Sequence, residues 1–188
     1  MSQRVCPWWM GPLLLNPLRR WSLNPEKLLA PYIREGMTVL EPGPGMGFFT
    51  LSLARLTGPH GKVIAVDIQP KMIEKLRRRA ADAGLADRVE VRLATSDSLQ
   101  IIDLTGSIDF ALAWAMVHEV PSIERFFREV AAVLKPGAAL LLVEPSGHVR
   151  NEHFDAEIHA AQSFGLVTVG TPKIARNHAT LLRKPIAA

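Results

Sequence analysis

The sequence has 188 residues, a net charge of +4 and 48% hydrophobic residues, which is the composition of one folded domain and excludes a disordered chain. Its single cysteine, Cys6, excludes a disulfide within the chain and a zinc site built on cysteines. The basic excess is small and is not gathered in a tail, so it favours a mildly basic surface over a nucleic-acid partner.

The first 24 residues differ in pattern from the rest of the chain. Their apolar stretch is interrupted by four residues that break regular structure, Pro7, Gly11, Pro12 and Pro17. The segment therefore lacks the unbroken apolar core of a signal peptide. No run in the sequence reaches the roughly 20 apolar residues that span a bilayer, so we expect no integral membrane segment and a cytoplasmic protein.

From residue 25 onward, strand and helix patterns alternate. Asn24 followed by Pro25 predicts the N-cap and the first residue of a helix that ends at Gly36. Strands are predicted at 37–40, 62–67, 89–93, 108–114 and 138–143. Apolar residues at helical spacing predict helices near 47–57, 70–83, 123–134 and 151–164.

This alternation predicts a doubly wound, mostly parallel sheet with helices on both faces. In such a fold, ligands bind at the carboxyl ends of the strands. Two short strands near 166–169 and 178–182 have no helix between them, which predicts an antiparallel hairpin at the end of the sheet.

The loop after the first predicted strand reads EPGPGMG, with glycines at 43, 45 and 47. Glycine lets a ligand touch the main chain, and a helix that begins near Gly47 would favour an anionic group at its N-terminus. A dinucleotide loop reads G-x-G-x-x-G, whereas here the third glycine comes one residue early. Glu41 precedes the loop, and its carboxylate suits an ammonium group better than a pyrophosphate.

Polar residues also follow the second and third predicted strands. Asp67 ends the second strand, where a carboxylate can accept hydrogen bonds from a ribose diol; the alternative is a surface aspartate that closes the strand. Ser96 and Asp97 follow the third strand. They are placed to bond an adenine edge; the alternative is the N-cap of a helix that starts at Leu99, and the two roles are compatible.

These motifs, with Leu134-Lys135-Pro136-Gly137 before the fifth strand, resemble those of class I S-adenosylmethionine-dependent methyltransferases over roughly residues 25–184. The resemblance implies a seven-stranded sheet of order 3-2-1-4-5-7-6 whose last strand is antiparallel. It implies one methyltransferase domain at 25–188 behind an N-terminal cap at 1–24. It also implies S-adenosylmethionine as cofactor, bound by Glu41, Gly43, Pro44, Gly45, Gly47, Asp67, Ile68, Met72, Ser96, Asp97 and Trp114.

The resemblance also implies a role for each of these residues. The glycine loop would pass under the methionine part of the cofactor, with Glu41 facing its ammonium group. Asp67 would hold the ribose hydroxyls, and Ile68 and Met72 would lie near the adenine. Asp97 would reach the adenine amino group with Ser96 beside it, and Trp114 would lie beside the methyl donor.

A protonated acceptor requires a base, and the candidates follow the fourth and fifth strands. His118 is the first choice, because an imidazole titrates near neutral pH; Glu144 is the second, and His148 comes next. The alternative for His118 is a side chain that caps a helix or bonds the backbone. These residues do not have the compact spacing of metal ligands, so no metal is expected.

We therefore expect a methyltransferase that acts on a small molecule. Trp114-Ala115-Met116-Val117 stands where amino methyltransferases carry an Asn/Asp-Pro-Pro-aromatic tetrapeptide, which disfavours exocyclic amines and leaves oxygen, carbon or sulfur acceptors open. RNA and protein acceptors also stay open. The alternatives are an NAD-type oxidoreductase and a non-catalytic S-adenosylmethionine-binding module. Residues 1–24 would cover the substrate or form a homodimer contact.

Overall fold

The computed structural model describes residues 23–186. Its seven strands form one sheet in the order β3-β2-β1-β4-β5-β7-β6, as the resemblance implies. The strands, in chain order, are β1 (Thr38–Pro42), β2 (Lys62–Asp67), β3 (Val89–Leu93), β4 (Ile108–Trp114), β5 (Leu134–Pro145), β6 (Val167–Gly170) and β7 (Asn177–Arg183).

Within residues 23–186, five α-helices connect or flank these strands. They are α1 (Pro25–Leu29), α2 (Thr50–Leu56), α3 (Pro70–Asp82), α4 (Ile123–Val133) and α5 (Asn151–Ser163). The predicted cap of α1 is confirmed, because the Asn24 side chain accepts a hydrogen bond from the Lys27 N–H at 3.0 Å. No helix within residues 23–186 combines the length and the apolar character needed to cross a membrane.

Strands β1 to β5 are parallel, while β7 is antiparallel to both of its neighbours. The predicted terminal hairpin is therefore confirmed. The chain first builds outward from β1 through β2 to β3 and then returns to place β4 on the other side of β1. This reversal opens a crevice at the carboxyl ends of β1 and β4, where the candidate residues lie.

The core has one layer on each face of the sheet, because successive strand residues point to opposite faces. In β5, Leu140 packs in the cluster that contains residues of α4 and α5. The next residue, Leu141, packs in the cluster that contains residues of α1, α2 and α3. Both leucines are fully buried, so the central strands are apolar on both faces.

The structure corrects several predicted boundaries. Helix α2 begins at Thr50, and the preceding loop residues form turns instead of its first turn. No helix starts at Leu99; the next helical residues are the 3₁₀ turn Ile102–Leu104, so the N-cap interpretation of Ser96 and Asp97 is wrong. Helix α1 is shorter than predicted. The predicted cap at 1–24 falls almost wholly outside the described residues.

Candidate active site

A cavity of about 710 Å³ lies at the carboxyl ends of the parallel strands. Loops from β1, β2, β3 and β4 contribute to its wall, so it brings together segments that are far apart in sequence. The sequence-predicted residues that line it are Glu41, Gly43, Pro44, Gly45, Asp67, Ile68, Met72, Ser96, Asp97, Trp114, His118 and His148. Gly47 and Glu144 do not line the cavity.

The three loop glycines serve three different purposes. Gly45 has a φ of +55°, and a Cβ there would meet nothing within 4 Å, so this part of the loop leaves room for a ligand. A Cβ on Gly43 would lie 2.9 Å from Cβ of Met116, because the loops after β1 and β4 abut. A Cβ on Gly47 would collide with Leu76 of α3, so Gly47 permits helix packing.

Glu41 is a buried carboxyl at the end of β1, only 3% exposed. Among the described residues, its Oε2 has no hydrogen-bond partner. Burial raises the pKa of Glu41 to about 8, while Thr50 lowers it in part and the charge of Asp67 raises it further. A buried acceptor without a partner beside an open glycine loop fits a cationic donor such as an ammonium group.

Asp67 lies at the end of β2 and is 7% exposed. Its carboxylate accepts hydrogen bonds from Gly45 N–H at 3.2 Å and Gln69 N–H at 2.8 Å. Burial raises the pKa of Asp67, and these backbone bonds offset part of that effect. The aspartate is therefore a buried cavity residue, and it ties the glycine loop to the carboxyl end of β2.

The loop after β3 is the more open part of the wall. Asp97 is exposed and forms an ion pair with Arg125 of α4 at 3.0 Å, and the same guanidinium donates to the Asp97 carbonyl. Glu129, also on α4, accepts a hydrogen bond from the Leu99 N–H at 2.7 Å. Helix α4 thus holds the loop that contains Ser96 and Asp97 in place without a helix of its own.

The aromatic side chains Phe49 and Trp114 form part of the cavity wall. The Trp114 ring packs on Phe49, with ring centroids 4.4 Å apart. The next residue, Ala115, has a φ of +53°, a conformation that non-glycine residues seldom adopt outside turns and functional sites. This turn directs the chain from β4 into Met116 and the short 3₁₀ helix that contains His118.

His118 is held by Glu144. Its Nδ1 lies 2.5 Å from Oε2 of Glu144, and Oε1 of the same carboxylate accepts the Val117 N–H at 2.7 Å. The bond to Glu144 raises the pKa of His118, although burial opposes it. Because Glu144 has no exposed surface, it orients the imidazole from behind, while His118 itself faces the cavity.

The His118 ring neither caps a helix nor bonds the backbone, so that alternative is not what the structure shows. Glu119 lies 3.8 Å from Nε2 of His118 and also lines the cavity. Within residues 23–186, no group of three or more His, Cys, Asp or Glu side chains is arranged to hold a metal ion.

Sequence reasoning missed two residues of this region. Arg125 lines the cavity beside Asp97, but its position on α4 reads as one more charge on a solvated helix face. Glu157 is buried on α5, and the charges of Glu144 and His118 act on it. A signal for it exists, because it interrupts the apolar positions of that helix, but only the packing shows which groups it faces.

Comparison with models of protein families shows the family of this chain. Residues 33–179 match the family described as Methyltransferase domain, and this match covers most of the chain. The protein therefore belongs to this methyltransferase family, whose methyl donor is S-adenosylmethionine.

Individual relatives agree with this family. The ubiquinone/menaquinone biosynthesis C-methyltransferase UbiE of Hahella chejuensis is 31% identical, covering 65% of this chain and 50% of that protein. A demethylmenaquinone methyltransferase of Symbiobacterium thermophilum is 36% identical over 61% of this chain and 45% of that protein. An arsenite methyltransferase of Halobacterium salinarum is 34% identical over 63% of this chain and 29% of that protein. The chain thus spans half or less of the length of these curated relatives.

Solved structures share the fold. A SAM-dependent methyltransferase from Aquifex aeolicus superposes with a TM-score of 0.84 at 24% identity, covering 96% of this chain and 100% of that chain. The [4+2]-cyclase SpnF superposes with a TM-score of 0.72 at 17% identity, covering 86% of this chain and 81% of that chain. Because a protein described as a cyclase has this fold, the fold alone does not decide the reaction.

Proposed function

We propose that this protein transfers the methyl group of S-adenosylmethionine to a small, largely apolar acceptor whose proton is taken by His118. One observation supports this most directly: Glu41, Gly45, Asp67 and His118 all line a single cavity. The first three and His118 come from opposite sides of the strand-order reversal, so the fold brings cofactor residues and a base together.

The cofactor end has the chemistry that S-adenosylmethionine requires. Glu41 would hold the ammonium group, because its buried Oε2 has no partner among the described residues. Asp67 would accept the ribose hydroxyls, since its carboxylate lies at the cavity wall. The loop at Ser96 and Asp97 would flank the adenine, with Ile68 on the other side of the wall.

The bound cofactor would supply an activated methyl group on a sulfonium. The protein would align the acceptor and exclude water. Nδ1 of His118 is already engaged by Glu144, which leaves Nε2 as the atom that accepts the proton. Glu144 then stabilises the imidazolium, so we assign it a positioning role and assign the base to His118.

The walls of the cavity indicate the kind of acceptor. They include many apolar residues, among them Phe48, Phe49, Leu99, Trp114, Met116, Val120 and Phe126. The acidic side chains Glu41, Asp67 and Glu119 line the same cavity, which disfavours an anionic acceptor. A small apolar molecule with a weakly acidic hydroxyl fits both features, and the methyl group would go to that oxygen or to a carbon it activates.

Binding measurements test the proposal. In an isothermal titration of the full chain, S-adenosylhomocysteine and S-adenosylmethionine are expected to bind in the micromolar range, and NADH is not. An acceptor screen with radiolabelled methyl donor would then identify the substrate. Binding of NADH without any response to S-adenosylhomocysteine would overturn the proposal. Binding without turnover of any acceptor would favour a non-catalytic S-adenosylmethionine-binding module.

Glu41 makes cofactor binding depend on pH. Its pKa of about 8 in the free protein means that the carboxyl is mostly neutral at pH 7, whereas an ammonium partner favours the carboxylate. Binding at pH 7 is therefore expected to release about one proton, and affinity should rise up to about tenfold per unit between pH 6 and 8.

Titrations at pH 7 in buffers of different ionisation enthalpy measure this proton release. Glu41→Gln is expected to abolish it, while Glu74→Gln, an exposed change on α3, should leave it intact. Equal proton release by Glu41→Gln and the unmodified chain would show that Glu41 does not meet the ammonium group.

A further inference from the structure

Glu157 occupies a position where helix α5 should be apolar. The buried residues of this helix are Phe154, Glu157, Ala160 and Ala161, which recur at the spacing of one helix face. Three of the four are apolar and belong to the core cluster beneath the sheet. Glu157 is only 3% exposed, and its Oε2 has no hydrogen-bond partner among the described residues.

The charged groups that act on Glu157 are the candidate base and the carboxylate that orients it. Glu144 of β5 and His118 after β4 are the two residues whose charges shift its pKa. Glu157 in turn acts on His118, together with Glu144 and Glu119. The geometry agrees with this. Glu144 follows Leu142 on the face of β5 that α5 covers, and it contacts His118 directly. Glu144 is also paired with His178 of β7, whose ring stacks on Phe154, one helical turn before Glu157.

Helix α4 and strands β6 and β7 also pack against α5. Helix α4 presents Phe127, Val130 and Ala131 to the shared core. From β7, the Nε2 of His178 lies 2.9 Å from the Val149 carbonyl and its ring stacks on Phe154. The charged groups that act on Glu157 are His118 and Glu144, the carboxylate that orients His118.

We propose that Glu157 is a third member of the His118–Glu144 pair, a buried positioning residue that sets how strongly His118 holds a proton. Its catalytic meaning rests on the proposed function of His118 as the base. The coupling itself depends only on the three side chains and exists without any substrate.

The direction of the coupling follows from burial. Desolvation raises the pKa of Glu157 to about 8, Glu144 raises it further, and His118 lowers it. Near neutral pH the carboxyl of Glu157 is mostly protonated, and it loses that proton more readily when His118 gains one. The two groups then titrate as a coupled unit, so the protonation of His118 depends on Glu157.

This arrangement lowers stability. The pKa of Glu157 in the folded protein is raised far above its ordinary value of 4.5, so the folded state loses stability as the pH rises from about 4.5 to 8. Glu157→Gln is therefore expected to raise Tm more at pH 8 than at pH 5. A carboxyl with only a structural role would not be expected at such a position.

The test follows the imidazole of His118 by NMR in the full chain without ligand, labelled at histidine. The signal is assigned by its absence in His118→Asn. Glu157→Gln is expected to lower the pKa of His118, and Glu157→Asp, which keeps a carboxyl, should restore part of the difference. Glu152→Gln, the same change at an exposed position of α5, should leave the His118 titration unchanged.

An identical His118 titration in Glu157→Gln and the unmodified chain would overturn the proposal. Should Glu157→Gln fail to fold, carboxyl labelling of glutamate in Glu41→Gln decides. Because His118 lowers the pKa of Glu157, adding His118→Asn is expected to move the Glu157 titration to higher pH, and an unchanged titration overturns the coupling. If His118→Asn retains full methyl transfer while the NMR coupling holds, the proposed base fails and the Glu157 coupling stands.

Discussion

Asp67→Ala is expected to weaken the binding of S-adenosylhomocysteine by about 100-fold or more. A hydrogen bond to a charged group contributes about 1.5–3 kcal/mol, and about 1.4 kcal/mol corresponds to a factor of ten in Kd. The substitution removes the buried carboxylate and with it two such bonds to the ribose. It also removes the hydrogen bonds that the carboxylate accepts from Gly45 N–H and Gln69 N–H, so the glycine loop would lose one of its anchors.

Two variants separate these effects. Asp67→Asn keeps an oxygen acceptor for the backbone and should bind more tightly than Asp67→Ala, though less tightly than the unmodified chain. Asp87→Ala removes an exposed aspartate before β3 and should leave Kd unchanged. Isothermal titration with a thermal melt of each variant provides the measurements. Near-normal Kd in a folded Asp67→Ala protein would remove Asp67 from the cofactor site.

His118→Asn is expected to reduce methyl transfer to the acceptor found by the screen by about 10²- to 10⁴-fold, the range for loss of a general base. Cofactor affinity should change little, because the proposed cofactor residues Glu41, Asp67, Ser96 and Asp97 come from the ends of β1, β2 and β3 and the loops after them. In the unmodified chain, the rate should fall as the pH drops through the pKa of His118. Glu144 raises that pKa, so the acidic limb reports on the pair.

Single-turnover rates at saturating cofactor measure this effect, with Kd for S-adenosylhomocysteine measured in parallel. His60→Asn is the matched control, because His60 is exposed in the loop before β2, away from the cavity. Glu144→Gln should also slow transfer, since the imidazole would lose the partner that fixes its tautomer. A wild-type rate in His118→Asn would show that the acceptor needs no base at this position.

Sequence reasoning located the elements well wherever a local pattern determines them. Strands β2 and β4 have the bounds that their largely apolar runs predict, because both runs are short and bounded by turn residues. The N-cap residues Ser96 and Asp97 gave a helix start at Leu99 as the alternative to an adenine-binding role. Long-range contacts with Arg125 and Glu129 on α4 hold this segment as a loop instead.

The glycine loop shows the same limit on a smaller scale. Its composition indicates flexibility and close approach to a ligand, which Gly45 supports. It does not distinguish a glycine that faces a cavity from one that admits a neighbouring helix, and Gly47 is of the second kind. Only the position of Leu76 on α3 separates the two.

The sequence by itself determined the alternation of strands and helices, the terminal hairpin and the residues at the carboxyl ends of β1 and β2, because all of these follow from patterns within a few residues. The tertiary structure alone decided that Glu144 orients His118 from 26 positions away and that Glu157 is buried on the side of α5 that packs against the sheet. Such contacts depend on which strands are neighbours and on how α5 packs beneath them, and no short-range pattern specifies either.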